Sequence, residues 1–264
     1  MTIVIAYIIF SGIRPKEYFF IKDPEFFSGL DNFQWKDSIW NPQGGSYVKM
    51  QNGILELFYN ETEGIDWGNS QVFQGEYPRH QAKWGSLLVG ENEETAEERE
   101  DGVTFDEKIP EETFWLKAKF KVISRKFNVD PVDDDPKGNI GLEVLCQFND
   151  ADYDKDFALR IGVMFGGFVW NGTTFNEVAK GTEWKMNGTT YDPDLHFLTW
   201  VHEITEVGEW QSVVIDYGKI FNRVFDAFEG DGLKSMTIRG LQLFAEGIGI
   251  QVKTQFDSVK TEII

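Results

Sequence analysis

The chain has 264 residues, 15% of them aromatic, and a formal net charge of −19. That length can enclose a sizeable core within one domain. The acidic excess argues against nucleic acid and anionic membrane partners, which call for clustered Lys and Arg, and leaves a neutral glycan compatible. No apolar run reaches membrane-spanning length. A single cysteine, Cys146, excludes an intrachain disulfide and a Cys-rich zinc site. His80, His196 and His202 have no close metal-ligand spacing.

In chain order, the opening "MTIVIAYIIFSG" is apolar but lacks a basic leader, and reads as a first strand rather than a signal segment. Short β-rich or alternating runs follow. They predict strands at 46–50, 53–59, 69–74, 82–89, 113–123, 139–149, 157–165, 167–171, 195–203, 209–216, 234–246 and 249–262. Turn chemistry separates them: "QNG" at 51–53, "DPVDDDPKGN" at 130–139, "NDADYDKD" at 149–156, "WNGTT" at 170–174 and "MNGTTYDPD" at 186–194. Residues 91–112 hold eleven acids and two bases, as a solvated loop would. One segment departs from the strand pattern. In "DYGKIFNRVFDAF", Ile220, Phe221, Val224, Phe225 and Phe228 recur at helical spacing before Gly230, predicting one helix at about 217–228. Many short strands with one helix and no linker predict a single all-β domain over 1–264, an antiparallel β-sandwich or barrel.

Strand parity singles out two glutamates. Side chains alternate across a strand. In 139–149, Ile140, Leu142, Val144, Cys146 and Phe148 form an apolar face, while Asn139, Gly141, Glu143, Leu145 and Gln147 form a mixed one. In 236–246, Met236, Ile238, Gly240, Gln242, Phe244 and Glu246 share a face opposite Leu241, Leu243 and Ala245. Amides that bond hydroxyls, beside aromatics that stack on pyranose rings, suit a sugar-binding groove. Two carboxyl groups roughly 5–5.5 Å apart can act as nucleophile and acid/base in a retaining glycosidase. Neighbouring strands, about 4.8 Å apart, can give such a separation naturally. The ordinary alternative for each glutamate is a surface strand residue.

Trp67, Trp84, Trp170, Trp184 and Trp200 are stacking candidates, with Trp84 and Trp170 favoured because they adjoin turns. "DADYDKDFALRI" has the first three acids of a calcium loop but lacks its glycine and closing glutamate. A solvated turn is expected there, with a structural calcium as the alternative.

Several segments, in order, resemble the family 12 glycoside hydrolases, β-jelly-roll endo-β-1,4-glucanases and xyloglucanases. "QGEYPRHQAKWG" resembles the family's Gly-Tyr-Pro segment, and "NIGLEVLCQF" its nucleophile strand. "GTEWKMNG" resembles a Trp-x-Leu-x-x-Gly hairpin, followed by "FLTWVHE" in place of a Ser-Phe strand. "EWQSVVIDYGKIFNRVFDAF" resembles the approach to the single helix, and "GLQLFAEGIG" the Gln-x-x-x-Glu acid/base strand. The likeness runs from about residue 70 to the C-terminus. It implies a concanavalin A-like jelly roll with a concave cleft, and a retaining endo-β-1,4-glucanase with Glu143 as nucleophile and Glu246 as acid/base. Gln242, Trp84, Trp170, Asn139 and Gln147 would bind a β-linked polysaccharide or oligosaccharide. No cofactor is implied, and an extracellular location is. The chain departs from the pattern at Leu145 and Gln147, where the family has Met and Trp, and at Gly247, commonly Pro. A supporting Asp is missing from 114–123, where Lys117 and Lys119 stand. A non-catalytic glycan-binding sandwich, or a purely structural one, is the competing expectation.

Overall fold

The computed structural model describes residues 25–27, 30, 36–40, 45–64, 67–75, 103–105, 114–128, 136–148, 159–170, 175–187, 195–228 and 236–263. The expected strand at 82–89, the N-terminal strand, Trp84, the acidic run apart from 103–105, and the calcium-loop candidate at 149–156 lie outside these residues. Among them, no helix is long and apolar enough to cross a membrane.

The strands are β1 (Lys36–Trp40), β2 (Tyr47–Gln51), β3 (Ile54–Asn60), β4 (Gly68–Gly75), β5 (Val103–Phe105), β6 (Phe114–Phe127) and β7 (Lys137–Phe148). They continue with β8 (Leu159–Trp170), β9 (Phe175–Glu177), β10 (Glu183–Met186), β11 (Leu195–Trp200), β12 (Gln211–Asp216), β13 (Met236–Ile248) and β14 (Ile250–Ile263). The helix α1 spans Tyr217–Phe228, as its spacing predicts, and buries Ile220, Phe221, Val224, Phe225 and Phe228. The large sheet has the order β1-β4-β13-β7-β8-β11-β10, with β5 on β13 and β9 on β8; the small one runs β12-β6-β14-β3-β2. The result is a two-sheet sandwich of the jelly-roll kind. Its core lies between the sheets, where Leu55, Leu57, Phe120, Val122, Ile140, Leu142, Val144, Ile161, Val163, Leu241, Leu243 and Phe256 meet. Cys146 belongs to that core, and burial pushes its thiol pKa up, leaving it inert.

Local chemistry explains the corners. The β2–β3 hairpin turns at Asn52 and Gly53, both at positive φ, as an Asn-Gly pair favours. Between β13 and β14 the chain passes from one sheet to the other with only Gly249 between the strands, at φ 64°. Glu61 secures this corner: its fully buried carboxylate accepts from the backbone N–H groups of Gly249, Glu63 and Gly64. Asn60, a potential glycosylation acceptor by sequence, is instead buried beside it, where its Oδ1 accepts from Asn128 and Gln251.

Three expectations change. The sandwich is not wholly antiparallel, because β11 pairs with β8 in parallel. The chain leaves β8, returns through antiparallel β9, and reaches β11 along the direction of β8. The runs 157–165 and 167–171 are one strand, bulged where Ile140 pairs with Gly166 and Gly141 with Met164. A second bulge puts Ile238 opposite Cys146 but Gly240 opposite Leu145, so the alternation expected over 236–246 is interrupted at Arg239. β1, β5 and β9 match none of the expected strands, and β10 falls in "GTEWKMNG", read by resemblance as a hairpin.

Candidate active site

The large sheet's face turned away from the core carries the site. Register arranges its residues in rows across the strands. Gln242 on β13 pairs with Glu143 on β7, which pairs with Gly162 on β8. In the next row Phe244, Gly141 and Met164 are aligned, flanked by Gln71 on β4 and Trp200 on β11. In the third, Asn69, Glu246, Asn139 and Gly167 are aligned. The parity reading of Asn139, Glu143, Gln242 and Glu246 thus places them on one face.

Glu143 is 6% exposed. Its Oε2 accepts from the Gln242 amide and lies 3.8 Å from the buried Arg160 guanidinium. Glu246 is half-buried, and Asn139 Nδ2 donates to its Oε1 at 3.2 Å. Burial first, and then the Glu143 charge, push the Glu246 pKa from the ordinary 4.5 to about 7. Hydrogen bonds from Asn139 and Trp67 and the charge of Arg160 oppose the rise without cancelling it.

This shift has a consequence for stability. In the unfolded chain Glu246 titrates near 4.5, whereas the folded protein holds the proton to about 7. The folded state therefore binds more protons across that window. The resulting stabilisation is complete below 4.5 and lost as pH rises through about 7. Urea midpoints of wild type minus Glu246→Gln should fall over this window; a flat difference would refute the raised pKa.

Register offsets the two glutamates along the strands. Glu246 is opposite Asn139, four residues along β7 from Glu143. Four rises and one interstrand step put their Cα atoms about 14 Å apart. Each side chain reaches about 4–5 Å from its Cα, so the separation of the carboxyl groups is set by how far the two lean toward each other along the strands. Strand spacing alone therefore does not supply the separation of roughly 5–5.5 Å.

Other positions move as well. Trp170 lies at the end of β8 on the parity of core residue Phe168, and its ring meets Phe127 edge-on at 5.4 Å; it does not stand with Asn139 and Glu246. Gln147 pairs with Thr237 on β13. The supporting carboxylate sought in 114–123 could not stand beside Glu143, because β6 belongs to the other sheet. There Lys117 pairs with Glu262, and Lys119 with Asp257.

Sequence reasoning missed Arg160 and Met164, and it did not distinguish Trp200 from the other tryptophans. Met164, Trp200 and Phe244 form their own buried cluster on the site face. They bring methionine and tryptophan there from β8 and β11, whereas Leu145 and Gln147 occupy the expected positions on β7. The alternation Arg160, Gly162, Met164 was a usable signal, masked by the apolar residues between. Among the described residues, the buried Asn69 Oδ1, Gln242 Oε1 and Trp200 Nε1 on this face have no hydrogen-bond partner. Among the described residues, no three His, Cys, Asp or Glu side chains gather as a metal site.

No family model matches the chain, and no curated protein matches it. Solved structures are similar in chain course. A family 11 xylanase from Neocallimastix patriciarum aligns with TM-score 0.46 and 9% identity over 87% of this chain and 91% of that one. A family 12 xyloglucanase from Bacillus licheniformis gives 0.41 and 9% over 96% and 95%. An endoglucanase from Rhodothermus marinus gives 0.42 and 10% over 89% and 95%. At such values they assign no role to any residue here.

Proposed function

We propose that the site face binds a β-linked glucan and that the protein hydrolyses it, with Glu246 as general acid and Glu143 as the second carboxylate. The supporting observation is the pair itself: a half-buried carboxyl whose pKa is raised to about 7, beside a second carboxylate held by Gln242 and Arg160. Such a raised pKa keeps a proton available near neutrality. Glu246 gives its proton to the glycosidic oxygen as the bond from that oxygen to the anomeric carbon breaks. The row offset leaves room for a water between Glu143 and the sugar, as in inverting pairs, which stand roughly 6.5–9.5 Å apart; direct attack by Glu143 is the retaining alternative. Glu143 takes a proton from this water as its oxygen bonds the anomeric carbon.

The near-complete burial of Glu143, already engaged by two partners, favours a second reading, a glycan-binding sandwich without catalysis. Proton NMR of the first products from a β-1,4-glucan oligosaccharide separates these readings. An α-anomer supports the water-mediated route. A β-anomer replaces it with direct attack by Glu143. Binding without new reducing ends leaves only the second reading.

A further inference from the structure

We infer that Trp184 is an outer sugar-stacking subsite, so that a bound glycan runs across the strands from the glutamate pair to β10. This rests on the site face binding a β-linked glycan. Trp184 is 44% exposed, and among the described residues it is the large exposed apolar side chain on that face. Its register partner is Leu198, which pairs with Gly162, the neighbour of Glu143. Trp184, Leu198, Gly162, Glu143 and Gln242 thus make one row.

Exposure rises along that row toward β10, from buried Gln242 and Glu143 through half-buried Leu198 to exposed Trp184. Gly162 has no side chain, and a Cβ built there would collide with Leu198 and Met164. Leu198, half-buried, therefore lies over the glycine and forms an apolar floor between the two ends. At one end are the amide and carboxylate of Gln242 and Glu143; at the other, an indole face fit for a pyranose. Three interstrand steps separate Trp184 from Glu143, about 14 Å. That is further than a single ring reaches, so short ligands seated at the glutamates miss Trp184.

Trp184 is also held in place before any ligand arrives. The His196 ring meets it at 6.3 Å, tilted by 61°. Its chain neighbours face the helix: Glu183 pairs with Arg223, and Lys185 donates to the Ala227 carbonyl and sits over the Phe228 ring. The comparably exposed Trp210 differs. It adjoins β12 of the small sheet, and the Lys119 and Lys121 ammonium groups lie over its ring.

Calorimetry with cellohexaose and cellobiose tests this, using the full chain in the Glu246→Gln background so that no ligand is consumed. Trp184→Ala should weaken cellohexaose binding about tenfold and leave cellobiose unchanged, while Trp184→Phe keeps most of the affinity. Equal cellohexaose affinity in Trp184→Ala and its parent overturns the subsite and leaves the glycan site standing. An equal loss for both ligands also overturns it, since the effect would then not depend on reach. If neither the parent nor wild type binds either sugar, the glycan reading itself fails, and the subsite with it.

Discussion

Glu246→Gln should lower the rate of β-glucan hydrolysis by about 10²–10⁴-fold, the usual contribution of a positioned general acid. Only the protonated form of Glu246 can donate, so wild-type activity should fall as pH rises through about 7. The variant should lose this limb of the profile. Glutamine nearly preserves the shape of glutamate, so the Asn139 side of the site can persist while the proton is lost. A purely structural role would slow all substrates alike. A general acid instead predicts that a glycoside with a very good leaving group, such as dinitrophenolate, is largely spared, because that oxygen departs without protonation. Equal loss on both substrates, or an unchanged alkaline limb, would remove Glu246 from the acid role.

Glu61→Ala should cost about 3–5 kcal/mol of folding stability. The Glu61 carboxylate is fully buried and accepts from Glu63 N at 2.6 Å, from Gly64 N at 2.9 Å and from Gly249 N. Each buried N–H left without an acceptor costs about 1–3 kcal/mol. The corner has other ties: Glu61 N donates to the Ile250 carbonyl at 2.8 Å and Asn128 N to the Gly249 carbonyl at 2.9 Å. These should keep the variant folded, so its loss can be read from urea denaturation followed by tryptophan fluorescence. Glu61→Gln retains one acceptor oxygen and should lose less. A loss below about 1 kcal/mol in the alanine variant would show that water replaces the carboxylate. The corner follows Glu246 by three residues, so loosening it should also disturb the site.

Much of this architecture was legible because burial leaves periodic traces. The apolar face Ile140, Leu142, Val144 and Cys146 reads directly as a core-facing strand, and the spacing of Ile220, Phe221, Val224, Phe225 and Phe228 as a buried helix face. The site face left a weaker trace. Glu143, Gln242 and Glu246 stand out because polar residues interrupt strands that are otherwise apolar. Arg160 was missed because 159–168 is buried on both faces, which removes the alternation that would have flagged it. Trp184 resembled every other tryptophan in a sequence holding nine.

The sequence by itself determined the class of fold, the helix, most strands and the face on which each glutamate stands. These are local properties, set by side-chain period and turn chemistry within about ten residues. Only the tertiary structure decided that Gln242, and not Glu246, lies opposite Glu143, that β6 belongs to the other sheet, and that Trp184 ends the row through Glu143. Register between β7 and β13 joins residues about a hundred positions apart. It depends on how two bulges and a glycine corner let both faces pack, and strand periodicity does not encode that.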